Sequence, residues 1–105
     1  MKIDDLKSFL KLIDNLMNSF VNSNKIKEIQ SKIKIILDEL WQEIEILYKS
    51  NQNDYDENND FFYRSFTIDL LSKYDIDYLN FNNNLIEIFG NNSFEKISFI
   101  VYCLN

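Results

Sequence analysis

The stretch DYLNFNNNLIEIFGNNSFEKISFIVYCL, residues 77–104, decides the fold because it can be read at two periods. Read in twos, Asp77 to Phe81 and Leu85 to Phe89 flank Asn82-Asn83-Asn84, and asparagine tolerates the left-handed backbone of a tight hairpin. Gly90-Asn91-Asn92-Ser93 supplies a second turn. Phe94 to Leu104 then alternates Ile97, Phe99, Val101 and Cys103 against Lys96, Ser98, Ile100 and Tyr102, a β-rich strand with one strongly apolar face. Read in threes and fours, Gly90 becomes a helix C-cap and Ser93 an N-cap, and the stretch is two helices. The alternation predicts a small antiparallel C-terminal sheet, and the all-α bundle is the competing architecture.

Upstream, Phe62, Phe66, Leu70 and Tyr74 recur at four-residue steps, with Asp60 available as a cap. This predicts a third helix ending near Lys73. The segment Ser65 to Leu70 alternates as a strand would, so helix is preferred on the longer pattern. Residues 50–60, SNQNDYDENND, are acidic and aperiodic and read as a loop. Before them, Ile3, Leu6, Phe9, Leu10, Ile13, Leu16, Met17 and Phe20 mark an amphipathic helix over 3–21. Ile26, Ile29, Ile33, Ile36, Leu37, Leu40, Ile44, Leu47 and Tyr48 mark a longer one over about 25–49. The short break at Asn22-Ser23-Asn24 makes the pair an antiparallel helical hairpin spanning 3–49. The expected architecture is therefore α+β. One domain over 1–105 comprises the hairpin, an acidic loop at 50–60 and an aromatic-rich C-terminal unit at 61–105, which holds eleven of the sixteen aromatics.

Composition removes much chemistry. The chain has 105 residues with no His, Pro or Ala, one Gly and one Cys. Histidine catalysis, Cys/His zinc sites, disulfide scaffolds and glycine phosphate loops have no material. Ile, Asn, Lys, Phe and Tyr fill 55 of the 105 positions, and their AT-rich codons point to a low-GC genome such as that of a phage or other mobile element. Charges within the first twenty residues (Lys2, Asp4, Asp5, Lys7, Lys11, Asp14) interrupt any signal-peptide core. The Ile97–Leu104 run falls far short of the ~20 residues that span a bilayer. A lone Cys forms no intrachain disulfide, so a cytoplasmic, reducing compartment is expected.

The charge is unevenly placed. Residues 1–50 carry eight Lys against eight acids, whereas 51–105 carry Arg64, Lys73 and Lys96 against nine acids, so the whole −6 lies in the second half. Phosphate neutralisation needs clustered Lys and Arg, which excludes direct nucleic-acid and anionic-membrane ligands and favours a basic protein partner. Asp54, Asp56, Asn58 and Asp60 have the alternate spacing that opens a calcium loop, but Asn59 replaces the required Gly and Ser65 the bidentate Glu. A solvated acidic loop accounts for the same residues, so no metal, cofactor or catalytic residue is expected. Cys103, two residues from the end and without a base, reads as a small buried hydrophobe.

The expected partner-binding residues are Asp54, Tyr55, Asp56, Glu57, Asp60, Asp75, Asp77 and Tyr78, carboxylates with tyrosine anchors among them. On the second helix, Ile35 and Ile46 fall opposite the main apolar stripe. Either the C-terminal unit covers them or they form a contact patch for another copy or a partner. The expected function is a non-catalytic acidic protein that neutralises a basic, nucleic-acid-binding partner such as a nuclease. Bacterial immunity proteins and phage-encoded inhibitors of nuclease defence systems share its small size, acidity and lack of motifs. The alternatives are an assembly subunit that self-associates through the second helix, as a homodimer for example, and a metal-dependent enzyme using the acidic loop.

Overall fold

The computed structural model describes residues 6–21 and 27–105. Five α-helices follow in order: α1 Leu6–Val21, α2 Lys27–Asn51, α3 Asp60–Lys73, α4 Tyr78–Phe89 and α5 Ser93–Leu104. Two single-turn 3-10 helices, Gln52–Asp54 and Glu57–Asn59, join α2 to α3. The expected break at Asn22-Ser23-Asn24, with Ile3 and Ile26, lies outside the described residues. The chain is all-helical among those residues, and the α+β expectation is overturned: no strand forms in 77–104.

The hairpin is present. Phe9, Leu10, Ile13 and Met17 of α1 are buried with Leu37, Leu40 and Ile44 of α2. Only five residues separate the helices, a reach of at most ~18 Å, while α1 is about 24 Å long. So short a connection closes only an antiparallel pair.

Local chemistry explains why 77–104 is helical. The Asp77 carboxylate accepts from the backbone N–H groups of Leu79 (3.0 Å) and Asn80 (3.3 Å), an N-cap that starts α4. The three asparagines read as a turn therefore lie inside a helix. Asn84, only 4% exposed, donates from Nδ2 to Asn18 Oδ1 on α1 at 3.0 Å. Gly90 ends α4 at φ 93°, ψ −177°, and its N–H donates to Ile86 O at 2.9 Å. Asn92 follows in the left-handed conformation at φ 71°. The Ser93 hydroxyl then donates back to the carbonyls of Gly90 and Leu85.

Helix α5 packs against α2, α3 and α4 at once. Phe94, Ile97, Ser98, Phe99, Ile100 and Val101 are all buried, so its apolar residues have no single face to mark. Five consecutive residues, Ile97 to Val101, are buried, so the middle turn of α5 is enclosed all round and carries no 3.6-residue stripe, while its last turn is exposed. The alternation of Ile97, Phe99, Val101 and Cys103 is what remains visible, and it misleads. Cys103 is exposed near the end of α5, which overturns its expected burial.

Helix α3 is correct in extent and shifted in face. Its buried stripe is Tyr63, Thr67 and Leu71, one residue along from the expected Phe62, Phe66 and Leu70. Asp60 is the first residue of α3; Asn59 holds the N-cap position, without a side-chain cap bond. One apolar cluster draws on all five helices, with the rings of Trp41 and Phe89 stacked at 4.8 Å on its flank.

Candidate protein-binding surface

The acidic linker is tied down by an aromatic staple. The half-buried Tyr55 ring meets Phe99 at 5.2 Å, Tyr63 at 6.0 Å and Tyr48 at 6.4 Å. Its hydroxyl donates to the Asp60 carboxylate. Desolvation first, then that hydrogen bond and the surrounding negative charge, push the phenol well above its ordinary pKa. Tyr55 thus anchors the linker to the core. Asp56 is likewise engaged: its carboxylate accepts from the Asn58 N–H at 3.0 Å and from Asn59 Nδ2 at 3.3 Å, capping the second 3-10 turn. Asp54 and Glu57 remain exposed.

Beside these acids stands the largest exposed apolar side chain of the linker region. Phe61 is 83% exposed on the first turn of α3, and Phe62 next to it is also exposed. The Phe62 ring meets Tyr102 of α5 at 5.4 Å, and Tyr102 in turn meets Tyr63 at 5.0 Å and Phe66 at 5.8 Å. Asp54 lies close enough to Cys103, the neighbour of Tyr102, to raise its thiol pKa, after the larger effect of desolvation. Asp54, Cys103, Tyr102 and Phe62 thus follow one another along the edge between α3 and α5, and Phe61 stands exposed on the turn of α3 that carries Phe62.

The remaining expected residues lie elsewhere. Asp75, in the left-handed conformation at φ 61°, and Asp77 occupy the turn between α3 and α4. The 14 residues of α3, about 21 Å of helix, separate them from the linker. The acids expected to act as one set are two sets at opposite ends of a helix. Tyr78 packs inward, its ring 5.3 Å from Phe94 and its hydroxyl accepting from Arg64 at 3.5 Å. Ile35 (58% exposed) and Ile46 (64% exposed) are not covered by the C-terminal half.

Electrostatics sharpen the surface. Two of the three bases in the second half are held in ion pairs: Lys96 Nζ with Glu45 at 2.6 Å, and Arg64 with Glu95 at 3.6 Å. Glu45 thereby reaches across to α5 rather than along its own helix to Lys49. Lys96 and Glu95 help line a cleft of about 260 Å³ together with Tyr48, Tyr55, Asp60 and Asn92. Among the described residues no three Cys, Asp or Glu side chains converge on a point where a metal ion would sit, and Asp56 and Asp60 spend carboxylate oxygens within the chain. No described helix is long and apolar enough to cross a membrane.

The sequence pattern puts Phe62 on the apolar stripe of the third helix and singles out no role for Phe61, so it does not mark either as a surface residue. A signal was present. Phe61, Phe62 and Tyr63 are consecutive, and consecutive helical side chains point about 100° apart, so three rings cannot share one interior face. Tyr63, 5% exposed, takes the interior and the other two are left outside. No family model, characterised protein or solved structure matches the chain, so the functional reading rests on its own residues.

Proposed function

We propose that this protein is a non-catalytic binding protein of the cytoplasm that caps a basic surface on a nucleic-acid-binding partner such as a nuclease. The exposed Phe61 and Phe62, which follow the acidic run of Asp54, Asp56 and Glu57 in the chain, carry the reading. Single exposed apolar side chains are ordinary; what favours Phe61 is its place beside the exposed Phe62, whose ring meets Tyr102, since an aromatic cluster edged by polar groups is how interfaces concentrate their energy. The acidic edge supplies the complement to a basic partner and repels nucleic acid itself. A protein of this kind neutralises its target as immunity proteins do, by occupying the surface that would grip phosphate. The exposed thiol of Cys103 suits a reducing compartment, where it stays free.

The test is capture from the native host with the immobilised chain, run in parallel with Phe61→Ser. A basic protein retained by the wild type and lost with Phe61→Ser supports the reading, and the partner's nuclease or binding activity should fall when the chain is added. If every retained protein is held equally by Phe61→Ser, or by a variant lacking Asp54, Asp56 and Glu57, this surface is not where binding occurs.

A further inference from the structure

The hairpin carries a second apolar surface, remote in character from the acidic one. Leu12 of α1 and Ile29 and Ile36 of α2 are exposed along its outer side, Ile36 at 47%. Between the helices runs a groove of about 280 Å³ lined by Leu12, Leu16, Ile36, Glu39, Leu40 and Glu43. At about 100° per residue, Ile29, Lys32, Ile36 and Glu39 fall within one arc of α2. Lys32 stands one turn before Ile36 and Glu39 one turn after it, both on the same side of that arc.

This arrangement is its own complement. In two copies of α2 crossing antiparallel about Ile36, Lys32 of each meets Glu39 of the other, four residues being about 6 Å and three about 4.5 Å. A parallel pairing would set lysine level with lysine and glutamate level with glutamate. A foreign partner of either sign would be attracted at one end of the face and repelled at the other. The distribution of charge over the whole chain points the same way. Two copies of a −6 protein repel, but residues 1–50 are formally neutral and the excess lies in 51–105, so an approach through the hairpin is the one that spares both copies the repulsion.

We propose that the chain forms a two-fold dimer through the outer face of the hairpin, with Ile36 on the axis and the reciprocal Lys32–Glu39 pairs fixing direction and register. The apolar contacts supply the affinity; the exposed ion pairs contribute little energy and select the antiparallel arrangement. Ile35 and Ile46 stay outside this seam. A pairing about their midpoint sets Lys32 level with Lys49 and Asp38 level with Glu43 of the second copy, like against like.

Sedimentation equilibrium or size exclusion with light scattering tests the proposal on the whole chain. Wild type should rise with concentration toward twice 12.7 kDa. K32E and E39K should each be monomeric, because each places like charges across the axis. An equimolar mixture of K32E and E39K should recover the dimer mass as a heterodimer, and the K32E/E39K double variant should recover it alone. I36E should be monomeric with an unchanged circular dichroism spectrum, and the charge variants keep the proposal testable if I36E unfolds. Neutralising Asp54, Asp56 and Glu57 should leave the mass unchanged, which separates this surface from the acidic one. A wild-type chain that stays monomeric to millimolar concentration, single charge variants as dimeric as wild type, or a mixture that remains monomeric each overturns it.

Discussion

At the scale of single residues, the stability of this fold depends on a few polar groups that α1 and α4 share. Asn18 Oδ1 accepts from both Asn80 Nδ2 (2.7 Å) and Asn84 Nδ2 (3.0 Å). Asn18→Ala should cost about 1–3 kcal/mol in a urea titration, because it leaves the buried Asn84 amide without its acceptor. Asn80→Ala, at an exposed position, should stay within about 0.5 kcal/mol. Asp14 belongs to the same cluster. Desolvation raises its pKa, the Asn18 hydrogen bond lowers it in part, and the Asp77 carboxylate raises it further; one oxygen, Oδ1, is buried without a partner. A carboxylate whose folded pKa is raised binds its proton more tightly in the native state. Its stability contribution is thus greatest below the ordinary pKa of 3.8 and declines as pH rises through the raised folded value. Asp14→Asn should therefore match wild type in strong acid and gain on it as pH climbs above 4, measured as thermal midpoints across a pH series. A flat difference between the two proteins would mean that Asp14 titrates normally.

At the scale of elements, the sequence was legible where a helix has one wet side and illegible where it has none. Helices α1 and α2 keep solvent on one side, so their stripes survive in the pattern of Phe9, Leu10, Ile13, Met17 and of Leu37, Leu40, Ile44. Helix α5 is enclosed, and its β-branched Ile97, Ile100 and Val101 favour strand on propensity alone; packing overrides that preference. The residues around Gly90 fit a hairpin turn and a pair of helix caps alike, since Gly and Asn serve both equally well. What separates the two is the Asp77 cap at one end and the Ser93 hydroxyl at the other, and both require the helix to exist before they can be seen. Of the surface, the acidic linker was legible from charge, while the inward duties of Tyr55 and Tyr78 were not, because a tyrosine beside acids looks the same in sequence whichever way its ring turns. The Gly90 conformation yields a prediction at this scale. Its φ of 93° with ψ of −177° belongs to a region that is essentially glycine's alone. Gly90→Ala should cost about 1–3 kcal/mol by denaturant titration even though nothing lies within 4 Å of the added methyl position, so the loss is backbone strain and not a clash. A neutral substitution would mean that the α4–α5 joint relaxes freely.

At the scale of the molecule, charge divides the sequence into a neutral first half and an acidic second half. The acids of the second half then separate again, into the linker set beside Phe61 and the Asp75/Asp77 set some 21 Å away along α3. Once a partner is in hand, stopped-flow association should be fast at low salt and slow markedly as ionic strength rises, because a Debye length of ~8–10 Å near 0.1–0.15 M screens long-range attraction. Replacing Asp54 and Glu57 with Asn and Gln should lower the on-rate without unfolding the chain; replacing Asp75 with Asn should have a far smaller effect. Association indifferent to both salt and the linker acids would reduce the acidic half to a solubility device.

The enclosure of α5 also has a meaning in time. Ribosomes release α1 to α4 before α5, against which α2, α3 and α4 all pack, has been made. Until Ser93–Leu104 emerges, the cluster that holds Phe81, Leu85, Leu37 and Ile44 lacks Phe94, Ile97, Ile100 and Val101, so the nascent chain waits as a loose helical assembly and closes when α5 joins it. A message cut short, or a stop codon before Phe94, would yield a product with an open interior, prone to clumping and readily taken by proteases. Loss of the twelve residues of α5 would then remove the entire protein from the cell, where the same loss from a peripheral helix would merely trim it.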